Sequence, residues 1–258
     1  MAPPGVSVQL IVFGQRNQED IAGVLRDVAA AGFPAIEAGN LFLACGEDRA
    51  RQLLEENGLQ VSGAHFGYGD YADPEKLAGH IAYAKAVGLK HLLCSGVADG
   101  SSAEGYRKSA AVFNAVGRRL ADEGLLFHYH NHDWEFRDLG GITGMEILAQ
   151  ETDPVLVRFN LDVFWLYYAG QDPAEFIRKH AGRAGYFHFK DGRRRATDAG
   201  MRPEFLELGR GDVDLQGAYA AALEAGAEWI VAEQDSTQVT PREAITISRQ
   251  YLRDVLGL

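Results

Sequence analysis

The chain has 258 residues, of which 47% are hydrophobic and 24% are charged, proportions that exclude a disordered protein and allow a large buried core. No stretch approaches the roughly 20 apolar residues of a membrane-spanning helix, so we expect no contact with a membrane interior. The formal net charge of −11 disfavours nucleic acid as a partner and favours a neutral small molecule or a metal cation.

The first residues and the cysteines indicate a cytoplasmic protein. Residues 1–5 have no basic segment followed by an apolar run, so we expect no secretory signal peptide. Cys45 and Cys94 are far apart and lack the spacing of metal ligands. We expect both to be small buried side chains in a reducing compartment.

Short β-rich runs alternate with longer amphipathic patterns along the whole chain. Residues 6–13 are rich in branched side chains, and Ile21, Val24, Leu25 and Val28 then recur at helical spacing. In chain order, strands are predicted over residues 6–13, 33–37, 59–64, 91–94, 125–130, 155–161, 184–189 and 229–232. Helices are predicted over residues 17–31, 49–57, 73–87, 102–123, 144–151, 173–180, 216–225 and 241–256.

These eight strand–helix units show no linker and no change in composition. Repeated alternation of this kind predicts parallel strands joined by right-handed crossovers. We therefore predict an α/β fold, a single (β/α)₈ TIM barrel that forms one domain over residues 1–258. The alternative is a doubly wound open sheet, but residues 14–17 (Gly-Gln-Arg-Asn) are not the glycine-rich turn that would favour it.

Six of the eight predicted strands end in ionisable side chains, at the face where such barrels carry their active sites. Taken singly, a residue of this kind is often only a helix cap or part of a solvated loop. Asp162, His188 and Glu233 differ because each follows an apolar run, where a charge is costly unless paired or bound to metal. Carboxylate and imidazole ligands suit manganese, zinc, magnesium or cobalt.

The fifth predicted strand carries the densest group of polar residues. His128, His130 and His132 alternate, so on an extended strand they share one face, toward the barrel interior or its mouth. The alternative, strongest for His128, is a core histidine that bonds to backbone carbonyls.

Several segments, in order along nearly the whole chain, resemble the xylose isomerase-like barrels of sugar phosphate isomerases and epimerases. Relatives in that family include inosose dehydratase and ketose 3-epimerases. Residues 129–136 (Tyr-His-Asn-His-Asp-Trp-Glu-Phe) are similar to the YHNHxxEF signature of one subgroup, and residues 208–214 are similar to an LGxGxVD loop. Residues 160–162 (Asn-Leu-Asp) and 188–191 (His-Phe-Lys-Asp) match later family segments.

The resemblance implies one divalent metal ion, with manganese as the first choice and zinc, magnesium or cobalt as alternatives. The family's ligands carry over to Asp162, His188 and Glu233. Where many members have a glutamate on strand five, this chain has His130, with Glu135 five residues further on. We expect His130 as the fourth ligand and Glu135 as a base or substrate contact, and the reverse assignment is the alternative.

The resemblance further implies a sugar isomerase or epimerase, in which a metal-chelated carbonyl acidifies the neighbouring C–H and an enediolate forms. The candidate catalytic residues are Glu135, Glu233, Lys190 and His65. The candidate substrate contacts are Glu37, His132, Trp134, Tyr68 and Arg194. Arg194 belongs to a basic run that we expect to be either a solvated loop or a ligand of a substrate phosphate.

The main alternative is a lyase that eliminates water or an alkoxide from an inosose or a 3-keto-glycoside through the same chemistry. A nuclease related to the apurinic endonucleases is disfavoured by the acidic charge. A non-catalytic sugar-binding subunit is disfavoured by the complete set of metal ligands. We expect a sugar or polyol as the binding partner, neither nucleic acid nor membrane, and leave homo-oligomerisation open.

Overall fold

The computed structural model describes residues 3–198 and 200–258. Met1 and Ala2, part of the segment in which no signal peptide is expected, and Ala199 lie outside the described residues. The described strands are β1 (Gly5–Gln9), β2 (Ala35–Ala38), β3 (Gln60–Gly67), β4 (His91–Ser95), β5 (Leu126–His130), β6 (Val157–Asp162), β7 (Ala184–Phe189), β8 (Asp191–Thr197), β9 (Gly200–Leu206) and β10 (Trp229–Ala232).

Helices follow most of the strands. They are α1 (Arg16–Glu19), α2 (Ile21–Ala31), α3 (Leu41–Cys45), α4 (Glu47–Asn57), α5 (Tyr68–Tyr71), α6 (Pro74–Val87), α7 (Ala103–Asp122), α8 (Gly144–Glu151), α9 (Val163–Tyr168), α10 (Pro173–Lys179), α11 (Leu215–Glu224) and α12 (Pro241–Asp254). Within the described ranges, no helix has both the length and the apolar composition needed to cross a membrane.

The barrel strands are parallel and close on one another in the order β1-β10-β7-β6-β5-β4-β3-β2. The predicted (β/α)₈ barrel is therefore confirmed. Alternation along each strand divides its side chains between the interior and the helices. On β5, Tyr129 faces outward and its ring centroid lies 5.3 Å from that of Phe113 on α7. His130, one residue later, faces inward, with its ring 4.7 Å from that of His188.

Two boundaries near the start of the chain differ from prediction. The strand predicted over residues 6–13 is wrong beyond Gln9, because Leu10–Phe13 form a 3₁₀ helix whose first turn is capped by the Gln9 side chain accepting from Ile11 N. The helix predicted over residues 17–31 is divided at Asp20. The Asp20 carboxylate accepts a hydrogen bond from Gly23 N at 2.9 Å and so begins α2 afresh.

The antiparallel hairpin of β8 and β9 follows β7 and was not predicted. The basic run 193–195 is exposed to solvent, as expected, but it lies on the first strand of the hairpin and not in a loop. Arg195 pairs with Glu204 across the hairpin through two contacts of 2.7 Å. On the second strand, Phe205 packs its ring 5.6 Å from that of Trp165.

Candidate metal centre

Four buried side chains converge at the carboxyl ends of β5, β6, β7 and β10. They are His130, Asp162, His188 and Glu233. Each offers one ligand atom, and these four atoms all lie within 4.8 Å of one another. The three residues expected to share a cation thus lie together, and the strand-five residue that joins them is His130.

Asp162 ends β6 and also caps α9. Its Oδ1 accepts a hydrogen bond from Trp165 N at 2.9 Å, which fixes the carboxylate at the helix start. Its backbone N donates to Asn131 Oδ1 at 3.0 Å. The second oxygen, Oδ2, is left facing the cluster. Burial raises the pKa of Asp162, and Lys190 partly opposes this.

The His130 ring is oriented from the neighbouring strand. Its Nδ1 lies 2.5 Å from Oδ1 of Asn160, whose Nδ2 donates to Tyr186 O at 3.2 Å. Because an amide oxygen only accepts, His130 Nδ1 carries the proton and Nε2 keeps its lone pair. Burial, and then the nearby histidines, hold the pKa of His130 well below its usual range, so the ring is neutral, as a metal ligand must be.

His188 lies between two carboxylates. Its Nε2 is 2.7 Å from Glu37 Oε2, and its Nδ1 contacts Glu233 Oε2. Burial alone would disfavour a charge on the ring, but these two carboxylates outweigh it and raise the pKa of His188 to about 10. Without a metal ion the ring therefore carries positive charge, and it would release its Nδ1 proton and become neutral on binding a metal.

Lys190 supplies the second positive charge. Its buried Nζ lies 2.8 Å from Asp235 Oδ2, 2.9 Å from Glu233 Oε1 and 3.2 Å from Asp162 Oδ2. It also lies over the ring of Trp165, 5.1 Å from its centroid. Burial opposes the charge, but the three carboxylates prevail and raise the pKa of Lys190.

The side chains of the cluster fit a divalent cation. Asp162 Oδ2, Glu233 Oε2 and His188 Nδ1 are buried, and among residues 3–198 and 200–258 they meet only charged neighbours, Lys190 and one another, without hydrogen-bond geometry. Buried polar atoms are normally satisfied, so atoms of this kind that face one another indicate a missing ligand. Two carboxylates and two imidazoles suit manganese, zinc, cobalt or magnesium.

Glu37 does not line the mouth as a substrate contact would. Its side chain is 0% exposed, with Oε2 against His188 and Oε1 3.2 Å from Nδ1 of His65. Burial would raise its pKa, but the two imidazoles outweigh burial and lower it to about 2. His65 itself lies closer to the mouth, with its ring 5.0 Å from that of His130.

Glu135 lies behind the barrel wall, away from the mouth where the sequence analysis expected a base, a substrate contact or a metal ligand. Its Oε1 accepts from Tyr129 OH at 2.6 Å, and its Oε2 accepts from His132 N at 2.8 Å. Because Tyr129 faces the helices, the carboxylate that bonds it does too. Burial raises the pKa of Glu135 to about 7. Its contacts hold the end of β5 in place.

The remaining predicted substrate contacts do not lie together. His132 stacks on Trp134 with centroids 3.9 Å apart, and its ring lies 4.7 Å from that of His130. Tyr68 packs against Phe113, on the helix side of the wall. Arg194 lies on the hairpin, where it donates to Tyr167 O and covers the Tyr167 ring at 4.7 Å.

Three residues of the site had no assigned role in the sequence analysis. Asp235 pairs with Lys190, and it could have been found because it follows Glu233 by two residues at a strand end. Asn160 orients His130, and its place two residues before Asp162 on an alternating strand was a usable signal. Phe205 lies 5.5 Å from Lys190 Nζ, and no local pattern foretold it because the hairpin was not predicted.

Known proteins resemble this chain in sequence and fold. The family model described as a xylose isomerase-like TIM barrel matches residues 25–255. An inosose dehydratase from Geobacillus thermodenitrificans is 28% identical over an alignment of 279 positions, gaps included, that covers 91% of this chain and 89% of that protein.

Two crystal structures show the same fold. A sugar phosphate isomerase/epimerase from Parabacteroides distasonis superposes with a TM-score of 0.81 at 20% identity, covering 99% of this chain and 95% of that one. The IOLI protein, whose structure holds a zinc atom, superposes with a TM-score of 0.75 at 14% identity, covering 98% of both chains.

Proposed function

This chain belongs to the xylose isomerase-like TIM barrel family, and on that premise we propose that it is a divalent-metal-dependent isomerase or epimerase of a keto-sugar or polyol. The reaction would remove a proton from the carbon beside the carbonyl and return it to give the isomer or epimer. One observation carries the proposal: the convergence of His130, Asp162, His188 and Glu233, with unsatisfied ligand atoms, beside a buried lysine.

These four residues would hold the metal. When bound, a divalent cation would polarise the substrate carbonyl and acidify the neighbouring C–H. Manganese is our first choice, and zinc is supported by the zinc atom in the IOLI structure. In this proposal Glu233 accepts the proton from carbon and returns it. Its carboxylate lies at the mouth, and of the two candidate ligands that contact Lys190 it makes the shorter contact, 2.9 Å against 3.2 Å for Asp162.

Lys190 would stabilise negative charge that develops on the substrate oxygen, because its ammonium is buried and fixed by three carboxylates. His65 would be the second proton-handling group. It comes from β3, which lies opposite β7 and Lys190 in the barrel order. Its Nε2 is buried and has no partner in the described part of the chain, so it is free to meet a substrate hydroxyl.

Elimination is the second candidate. It is favoured by the inosose dehydratase relative, which matches 91% of the chain. Both reactions begin with the same proton abstraction, and in elimination a hydroxyl leaves the next carbon as water. The imidazole of His132, beside His130 at the mouth, could then donate to the leaving group.

Incubation of keto-sugars and inososes in deuterated water tests the proposal. We expect deuterium to be incorporated at the carbon beside the carbonyl only when Mn²⁺ or Zn²⁺ is added. The Glu233→Gln variant should incorporate none. Appearance of a product that lacks one water and absorbs in the ultraviolet would favour the dehydratase. Exchange that is equally fast in chelator would contradict both.

A further inference from the structure

We propose that Glu37 is a positioning residue of the metal centre, whose carboxylate orients the rings of His188 and His65 without binding metal or substrate itself. The inference rests on the proposed metal site. Glu37 projects from β2, which is not one of the strands that carry the four candidate ligands. It nevertheless contacts one of them directly.

The two contacts of Glu37 are made by different oxygens. Oε2 accepts from His188 Nε2 at 2.7 Å, and Oε1 accepts from His65 Nδ1 at 3.2 Å. Because the side chain is 0% exposed, water does not compete for either oxygen. A carboxylate held in this way fixes the orientation of both rings.

The His188 contact decides which nitrogen can meet a metal. A neutral imidazole carries one N–H, and the carboxylate of Glu37 places that proton on Nε2. The lone pair is then on Nδ1, which faces Glu233 and the cluster. Carboxylates that accept from the distal nitrogen of a ligating histidine orient the ring and increase its basicity.

Glu37, His65 and His188 could also be taken for a second metal site, since their ligand atoms lie within 4.8 Å of one another. A cation there would need the lone pair of His188 Nε2 while Nδ1 serves the first site. His188 would have to lose both ring protons, which a neutral imidazole does not do near neutral pH. Because both clusters share the His188 ring, the geometry favours one metal ion, with Glu37 as a supporting carboxylate.

The His65 contact has a similar consequence. With its proton on Nδ1 and donated to Glu37, the ring presents the lone pair of Nε2 to the barrel interior. The His65 ring lies 5.9 Å from the His188 ring. One carboxylate thus sets the proton positions of a candidate metal ligand and of a candidate proton-handling group.

Zinc titration of the full chain against a competing chelator tests the role of Glu37. Glu37→Gln keeps the size of the side chain and removes its charge, and we expect zinc to bind about 10–100-fold more weakly at an unchanged ratio of one ion per chain. The matched control is Glu228→Gln, a carboxylate that pairs with Arg158 and is 45% exposed. This variant should bind zinc within about twofold of the wild type.

A second measurement does not depend on the variant. Long-range ¹H–¹⁵N spectra of the zinc-loaded wild type should show His188 with Nε2 protonated and Nδ1 bound to zinc. Three results would overturn the role of Glu37 and leave the metal site intact. They are an unchanged zinc affinity in Glu37→Gln, zinc bound to Nε2 of His188 in the wild type, and a ratio of two zinc ions per chain that falls to one in the variant. A wild type that takes up no zinc would overturn both.

Discussion

Lys190 Nζ lies 2.9 Å from Oε1 of Glu233, although Glu233 is also one of the four candidate metal ligands. The ammonium is buried and contacts Asp162 and Asp235 as well. It therefore balances carboxylates that a divalent cation would also attract. A permanent cation and a metal ion would share the same anionic groups.

Replacement of Lys190 by Met should destabilise the metal-free protein by about 3–5 kcal/mol, because buried carboxylates lose their counter-ion. Added zinc should restore part of this loss by supplying positive charge at Asp162 and Glu233. Urea unfolding in chelator and in zinc measures both effects. The control is Lys179→Met, at an exposed position on α10, which should change the free energy of unfolding by no more than about 0.5 kcal/mol. Equal stability of Lys190→Met and wild type in chelator would contradict this charge balance.

The strand-five ligand can be identified by a pair of glutamine variants. His130→Gln should weaken zinc binding by at least about 100-fold, since it removes a ligand and the lone pair that Asn160 orients. Glu135→Gln should change zinc affinity by less than about threefold, because Glu135 lies behind the wall against Tyr129. Isothermal titration with zinc measures both constants. The opposite ranking would show that Glu135, not His130, reaches the metal.

Much of the barrel could be predicted because strand and helix patterns are local. The element boundaries that were predicted wrongly depend on single side chains. Residues 6–13 form one apolar run, and such a run does not distinguish a strand from a short helix. The Gln9 side chain, by capping the backbone at Ile11, ends β1 early.

The candidate ligands could be predicted because they are strand-end residues of a parallel barrel. The position of Glu135 could not, because it depends on a turn after β5 that returns the chain to the outward face of that strand, beside Tyr129. The hairpin was missed for a similar reason. Arg195 on its basic strand pairs with Glu204 on the other strand, and Arg194 covers the ring of Tyr167, which is 27 residues away in sequence.

Asp191 should be essential to the loop of residues 208–213. Its two oxygens accept from four backbone N–H groups, those of Gly192, Gly209, Gly211 and Val213. A Cβ on Gly211 would lie 2.1 Å from Asp191 Oδ1, which explains the glycine there.

Asp191→Asn should lower the free energy of unfolding by about 3 kcal/mol, because an amide NH₂ would face two N–H donors. Asp212→Asn, in the same loop but 52% exposed, should change it by less than about 0.5 kcal/mol. Urea unfolding of the two variants provides the comparison. Equal stability of the variants would show that the four bonds do not hold the loop.

His91 should make the fold sensitive to acid. Its buried ring bonds His128 at 3.0 Å, and burial, then Arg158 and Lys90, lower the pKa of His91 from 6.5 to about 4. As pH falls from about 6.5 to about 4, the unfolded chain binds a proton that the folded ring does not, so the free energy of unfolding decreases.

Between pH 7 and pH 5, His91→Gln should therefore lose roughly 2 kcal/mol less stability than the wild type. Urea unfolding at the two pH values measures the difference. The variant is expected to be less stable at pH 7, because His128 loses a partner. If the free energy of unfolding of His91→Gln fell between pH 7 and pH 5 as much as that of the wild type, the acid sensitivity would come from other groups.

The central claim is that four residues at the barrel mouth share one divalent cation. Anomalous diffraction from crystals grown without chelator and soaked in MnCl₂ or ZnCl₂ tests it most directly. The account predicts one anomalous peak per chain, within about 2.0–2.3 Å of His130, Asp162, His188 and Glu233. The account would be contradicted if the barrel mouth showed no anomalous peak and Lys190 kept its ion pairs. It would also be contradicted if the metal ion were bound by other residues.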